Sequence, residues 1–265
     1  MFRLMIASLL LAVTSVAFAQ DYAREKRWAD EITPSIVVGD PLYIELTEDP
    51  GRGHKFLSIL TEGSKKDTAL VIVHGVGVHP DHSVIGILRT QLVDTGYTTL
   101  SIQMPVAKGE GAGVDDYYPA LFPQAGNRIA TAAKFLQGKG YKRLVLVSHS
   151  LGAWMSNVYL MNTPEPPFAA WIPIGVTGRY WGASLISIPW FNVEWFQSKI
   201  RLPVLDIYGE RDNAFVIGGA KSRANALDHI PRSRQVVIPG SDHFHAGQEQ
   251  RVTTEIVKFL AELGL

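Results

Sequence analysis

Leu144-Val145-Leu146-Val147-Ser148-His149-Ser150-Leu151-Gly152-Ala153 is the stretch whose reading decides the fold. Four consecutive apolar residues at its start suit a strand covered on both faces. The chain then enters a turn in which the residues two before and two after Ser150 are small, Ser148 and Gly152, and passes into a helical pattern. Small neighbours are needed because such a turn crowds the backbone and holds the central side chain out above the sheet. The helix behind it offers free N–H groups and a positive dipole end to that side chain. An ordinary strand, turn and helix with a capping serine has the same local spelling. The rest of the chain has to separate the two.

Outward from this stretch, apolar runs alternate with helical stripes. Leu70-Val71-Ile72-Val73 is a second continuous run, followed by Ile85, Leu88 and Leu92 at helical spacing and a stop at Gly96. Residues 97–104 predict the next strand, ended by Pro105. Ile129, Ala132, Ala133 and Leu136 form another stripe, closed by Gly138 and Gly140. Residues 170–176, 204–207 and 235–238 supply further strands, and Val252, Ile256, Phe259, Leu260 and Leu263 share one face of a last helix. This alternation predicts the α/β class, with a mostly parallel central sheet and helices on both faces. Residues 42–46 and 55–60 read as a hairpin that adds an antiparallel edge. No shift in composition divides the chain, so residues 20–265 are expected to form a single domain.

Two segments break the alternation. Residues 106–126 are Gly-rich and contain Asp115, Asp116, Tyr117 and Tyr118. Residues 177–202 hold Tyr180, Trp181, Trp190, Phe191, Trp195 and Phe196. Extra chain after the C-terminal end of a strand lies where open α/β sheets bind ligands, which makes 177–202 a candidate lid insertion.

Composition narrows the function. Lys+Arg and Asp+Glu both number 25 in 265 residues, so no net basic field favours nucleic acid. The chain has no cysteine, which excludes disulfides, thiolate nucleophiles and Cys-ligated metals. At the N-terminus Arg3 precedes an uncharged run over 4–18, and Ala17-Phe18-Ala19 is a small-x-small cleavage site. Residues 1–19 are therefore expected to be a signal peptide, and the mature chain to be periplasmic or secreted. The apolar run falls short of the roughly 20 residues of a membrane span, and no later run approaches that length.

Ser148-x-Ser150-x-Gly152 resembles the G-x-S-x-G nucleophile elbow of the α/β-hydrolase superfamily, with Ser in place of the first Gly. His74-Gly75-Val76-Gly77, directly after an apolar run, is similar to the superfamily's oxyanion loop. Pro203-Val204-Leu205-Asp206-Ile207-Tyr208-Gly209-Glu210-Arg211-Asp212 resembles its acid strand, ending in a G-x-x-D turn. Pro239-Gly240-Ser241-Asp242-His243-Phe244 resembles its histidine loop. The order Ser150, Asp212, His243 is also the superfamily's. The resemblance covers residues 66–262, and over 71–105 it is to a poorly characterised group of exported bacterial α/β-hydrolase-like proteins, some of which lack the serine.

The resemblance implies a serine hydrolase that cleaves carboxylic esters through an acyl-enzyme, with no cofactor and no metal. Ser150 would be the nucleophile and His243 its base, since a serine hydroxyl is weak until its proton is taken. Asp212 would fix the imidazole tautomer and stabilise the imidazolium. The backbone N–H groups of Val76 and Leu151 would hold the oxyanion, with His74, Gly75, Gly77, Ser148 and Gly152 supporting elbow and loop. Trp181, Trp190, Phe191 and Trp195 are candidates to line a pocket for an apolar acyl group, or simply to pack the insertion onto the sheet. The expected partner is a small-molecule ester.

Each role has a competitor. Asp206 and Glu210 compete with Asp212, and His245 with His243. His149 reads as structural, its strained turn pointing it away, and His74 as a brace for the oxyanion loop. Gly75-Val76-Gly77 is no dinucleotide fingerprint, because Pro80 stands where the third glycine belongs. His79-x-x-His82 and Asp242-His243-x-His245 lack an H-E-x-x-H frame. A binding or scaffold protein with an idle triad, and a peptidase, thioesterase or acyltransferase with a working one, share this sequence pattern.

Overall fold

The computed structural model describes residues 20–108, 114–177 and 200–265. Along the chain, helix α1 (Tyr22–Ile32) precedes strands β1 (Asp40–Glu45), β2 (Lys55–Thr61) and β3 (Thr68–Val73). Then come α2 (Ser83–Asp94), β4 (Thr98–Ile102), α3 (Phe122–Gly138), β5 (Arg143–His149), α4 (Leu151–Asn162) and β6 (Phe168–Ile174). The chain closes with β7 (Leu205–Gly209), α5 (Ala214–Leu227), β8 (Arg234–Ile238) and α6 (Glu249–Leu263). The strands form one sheet in the order β1-β2-β4-β3-β5-β6-β7-β8. β1 and β2 pair antiparallel, β2 joins β4 antiparallel, and every other pairing is parallel.

The alternation of side chains along each strand divides the core into two layers. Ala69, Val71 and Val73 of β3 and Leu144 and Leu146 of β5 pack with Ile129, Ala132 and Leu136 of α3 and Trp154 of α4. Leu70, Ile72, Val145 and Val147 face the opposite way, against Leu88 of α2 and Ile256 and Phe259 of α6. Every residue of β3 is buried, as expected of a strand covered on both faces. β3 and β5 are therefore central, and the C-terminal ends of the parallel strands converge on one edge.

Some strand ends differ from the sequence expectation. β4 stops at Ile102 rather than at residue 104, because the Met104 N–H leaves the ladder to donate to the His74 ring. β6 spans Phe168–Ile174 rather than 170–176, since Gly175 turns the chain at φ 63°. The hairpin and its antiparallel edge form as read. Residues 1–19, expected to be a signal peptide, lie outside the described residues. So do residues 109–113 of the Gly-rich loop and 178–199 of the aromatic segment.

Helix α1 had no counterpart in the sequence reading. Its Glu25 carboxylate is buried and accepts two hydrogen bonds from Arg128 of α3, at 2.7 and 2.9 Å. Burial pushes the Glu25 carboxyl upward, but the charge and hydrogen bonds of Arg128 and His54 outweigh it and hold it below its ordinary value.

Candidate active site

The turn after β5 has the strained geometry its sequence requires. Ser150 sits at φ 55° and ψ −125°, a region costly for a side chain other than glycine. Its N–H donates to the Ile174 carbonyl at 2.8 Å, tying the turn to β6. Gly152 allows the first turn of α4 to press against the end of β3: a Cβ there would lie 2.4 Å from the His74 carbonyl oxygen. Ser148 is fully buried, and its Oγ accepts the indole N–H of Trp171 at 2.8 Å. The hydroxyl that replaces the motif's first glycine thus has a structural partner on β6.

Three loops at the same sheet edge bring Ser150, His243 and Asp212 into one hydrogen-bonded line. The Ser150 hydroxyl donates to His243 Nε2 at 2.9 Å, and His243 Nδ1–H donates to Asp212 Oδ1 at 2.6 Å. Asp212 also accepts the N–H of Asn213 at 2.8 Å and that of Gly209 at 3.3 Å. Burial raises the Asp212 carboxyl pKa, but the His243 hydrogen bond and charge and these two N–H groups overcome it and hold it below the ordinary value. An anionic Asp212 assigns the Nδ1–H tautomer to His243 and leaves Nε2 free to accept from serine.

The loop of residues 74–77 runs beside Ser150. A Cβ on Gly75 would stand 2.9 Å from Ser150 Cβ, so the backbone passes as close as a glycine permits. His74 behind it is buried; its Nδ1–H donates to the Gly75 carbonyl at 2.8 Å and its Nε2 accepts the Met104 N–H at 2.9 Å. These opposed roles fit the neutral ring, whose pKa burial lowers to about 3. Gly77 turns the loop at φ 70°. Among the described residues, neither the Val76 nor the Leu151 N–H donates to a protein acceptor.

The competitors are engaged elsewhere. Asp206 is fully buried in β7, where its Oδ2 accepts from Arg223 Nε at 2.8 Å and Gln235 Nε2 at 2.7 Å. Glu210 accepts the Gly240 N–H at 2.7 Å, and His245 Nδ1 shares a 2.7 Å hydrogen bond with Ser241 Oγ. His149 does not point away from the site: its ring centroid lies 4.8 Å from that of His243. Among the described residues no group of three His, Asp or Glu side chains is placed to hold a metal ion. Trp181, Trp190, Phe191 and Trp195 lie outside the described residues.

No protein-family model matches the sequence, and no curated protein matches it either. Solved structures do. Est1E from Butyrivibrio proteoclasticus, also seen with ferulic acid bound, superposes with a TM-score of 0.65 at 18% identity, over 85% of this chain and 98% of its own. Dienelactone hydrolase from Anabaena variabilis gives 0.62 at 15% identity, over 84% of this chain and 97% of its own. A puromycin-hydrolysing peptidase from Mycobacterium tuberculosis gives 0.65 at 16% identity, over 86% of this chain but only 40% of its own. At such identities the likeness is one of fold, and with the sheet order above it establishes that this chain has the fold of the α/β-hydrolase superfamily.

Proposed function

We propose that the chain is a serine hydrolase that cleaves carboxylic esters of small molecules through an acyl-enzyme, with Ser150, His243 and Asp212 as its triad. The observation that carries this reading is the line from Ser150 Oγ to His243 Nε2 to Asp212, at 2.9 and 2.6 Å, on a serine held at φ 55°. Ser150 Oγ attacks the ester carbonyl as its proton passes to His243 Nε2. The oxygen that gains the electron pair is held by the N–H groups of Val76 and Leu151, each donor being worth about 3 kcal/mol in the transition state. His243 then returns its proton to the departing alkoxide, and the alcohol leaves. Water, deprotonated by the same imidazole, releases the acid and restores the serine hydroxyl.

The hydrolase fold of the solved relatives supports hydrolysis, and the Est1E structure with ferulic acid supports a small carboxylic ester as substrate. The aromatic residues of 177–202 are proposed to favour an apolar acyl group. The leader-like residues 1–19 support action outside the cytoplasm, and no helix among the described residues is long and apolar enough to cross a membrane. A panel of p-nitrophenyl esters graded by acyl length tests the reading. Turnover with a mass shift equal to the acyl group, both abolished by Ser150→Ala, is expected. Turnover that persists in Ser150→Ala would overturn it.

A further inference from the structure

The three members of the line come from three separate loops, and something must hold those loops in register. The acid turn and the histidine loop are joined directly. Arg211 N–H donates to the Ser241 carbonyl at 2.8 Å, and Glu210 accepts the Gly240 N–H. Within the histidine loop, Asp242 Oδ1 accepts the N–H groups of Phe244 and Ala246 at 3.0 and 3.1 Å. None of these bonds reaches the elbow that carries the nucleophile.

We propose that His149 is the positioning residue that locks the histidine loop to the elbow. This inference rests on the serine-hydrolase reading above. His149 ends β5 and directly precedes Ser150, and only 1% of it is exposed. Its Nε2–H donates at 2.8 Å to the backbone carbonyl of His243 itself, 94 residues away in sequence. Its ring packs on the His243 ring at a centroid distance of 4.8 Å, and Phe244 borders both rings at 5.4 Å. Elsewhere around the same imidazole, the backbone of Gly175 approaches so closely that a Cβ would lie 3.0 Å from His243 Cε1 and Nδ1. His243 is therefore confined by His149 and Gly175, with its carbonyl pinned by the side chain next to the nucleophile.

The chemistry of the clamp suits a base that must become charged. A carbonyl only accepts, so the proton of the His149 ring sits on Nε2. Burial holds this ring neutral, with a pKa of about 3. A neutral donor keeps the same bond before and after His243 takes the serine proton, and it adds no positive charge against the imidazolium. Fixing the base within hydrogen-bond reach of Oγ is the kind of positioning whose loss through a 1 Å displacement costs on the order of a hundredfold in rate.

Two substitutions separate the bond from the packing. His149→Phe keeps a ring and loses the donor, whereas His149→Gln keeps a donor of similar reach and loses the ring. Fluorophosphonate labelling of Ser150 and ester turnover are measured on both, with folding checked by circular dichroism. Labelling and kcat of His149→Phe are expected to fall about 10- to 100-fold with KM nearly unchanged, and His149→Gln is expected to recover most of the loss. Labelling of His149→Phe at the wild-type rate would overturn the proposal, as would a Gln variant no faster than the Phe variant. Nitrogen-15 NMR of the wild-type protein gives a readout that needs no variant. His149 must appear as the neutral Nε2–H tautomer with a slowly exchanging proton, and an Nδ1–H tautomer sinks the idea even if His149→Phe does not fold. Absence of labelling in the wild type is a different failure, that of the hydrolase reading itself.

Discussion

Replacing Ser148 with the glycine of the G-x-S-x-G pattern should weaken this protein. Ser148→Gly removes the only hydroxyl that accepts the buried Trp171 indole N–H, at 2.8 Å, among the described residues. An orphaned buried donor costs about 1–3 kcal/mol, and glycine within a strand adds about 0.5–1 kcal/mol of backbone entropy. The expected loss is therefore about 2–4 kcal/mol, seen as a fall in Tm of about 5–10 °C for a domain of this size. Urea unfolding followed by tryptophan fluorescence measures it. A cycle through Ser148→Ala, Trp171→Phe and the double variant isolates the hydrogen bond, with a coupling of about 1 kcal/mol expected. Ester turnover should change little, because a glycine meets the crowding at this position equally well. A Ser148→Gly protein as stable as the wild type would refute the reasoning.

Three further outcomes follow from the buried charges and rings. His74 and His149 take up a proton near pH 6.5 when unfolded and only near pH 3 when folded, and burial lowers His79 and His245 as well, so between those values the unfolded chain binds at least two more protons. These two rings alone then contribute stability that is present above pH 6.5 and falls toward pH 3 by roughly 3 kcal/mol per unit, and urea midpoints that do not move between pH 7 and 5 would contradict this. Asp212→Asn should leave fold and KM in place while lowering kcat by about 10⁴-fold, since the amide no longer selects the Nδ1–H tautomer of His243; steady-state kinetics decide it. Glu25→Gln leaves the Arg128 charge buried without its carboxylate and should cost about 3–5 kcal/mol in denaturant unfolding, with a far smaller loss refuting the buried pair as a staple for α1.

Much of the fold was legible because its central strands are buried on both faces. Such strands are spelled as unbroken apolar runs, as in Leu70 to Val73 and Leu144 to Val147, and the helices between them carry their stripes plainly. The candidate site was legible for a related reason: the three side chains the structure brings into line sit on turns whose chemistry is local. Ser150 needs Gly152 behind it, and Asp212 closes a short turn from Gly209. What escaped the sequence depends on partners far along the chain. Helix α1 fully buries only Glu25 and Ala29, with Tyr22, Trp28 and Ile32 half-buried on the same face, and the Glu25 pair with Arg128, 103 residues on, is a contact no local pattern announces. Helix α5 carries two adjacent glycines and a weak pattern, and its anchor is the buried Arg223–Asp206 pair. The roles of Ser148 and His149 likewise need Trp171 and His243, which no spacing rule brings near them.

The central claim is that Ser150 is an activated nucleophile, and a fluorophosphonate tests it without any choice of substrate. The protein and its Ser150→Ala variant are incubated with the probe, and intact mass and peptide mapping are recorded. The account predicts a single adduct, on Ser150, in the wild type and none in the variant. A folded wild-type protein that takes up no probe, or an adduct that persists in Ser150→Ala, would contradict it.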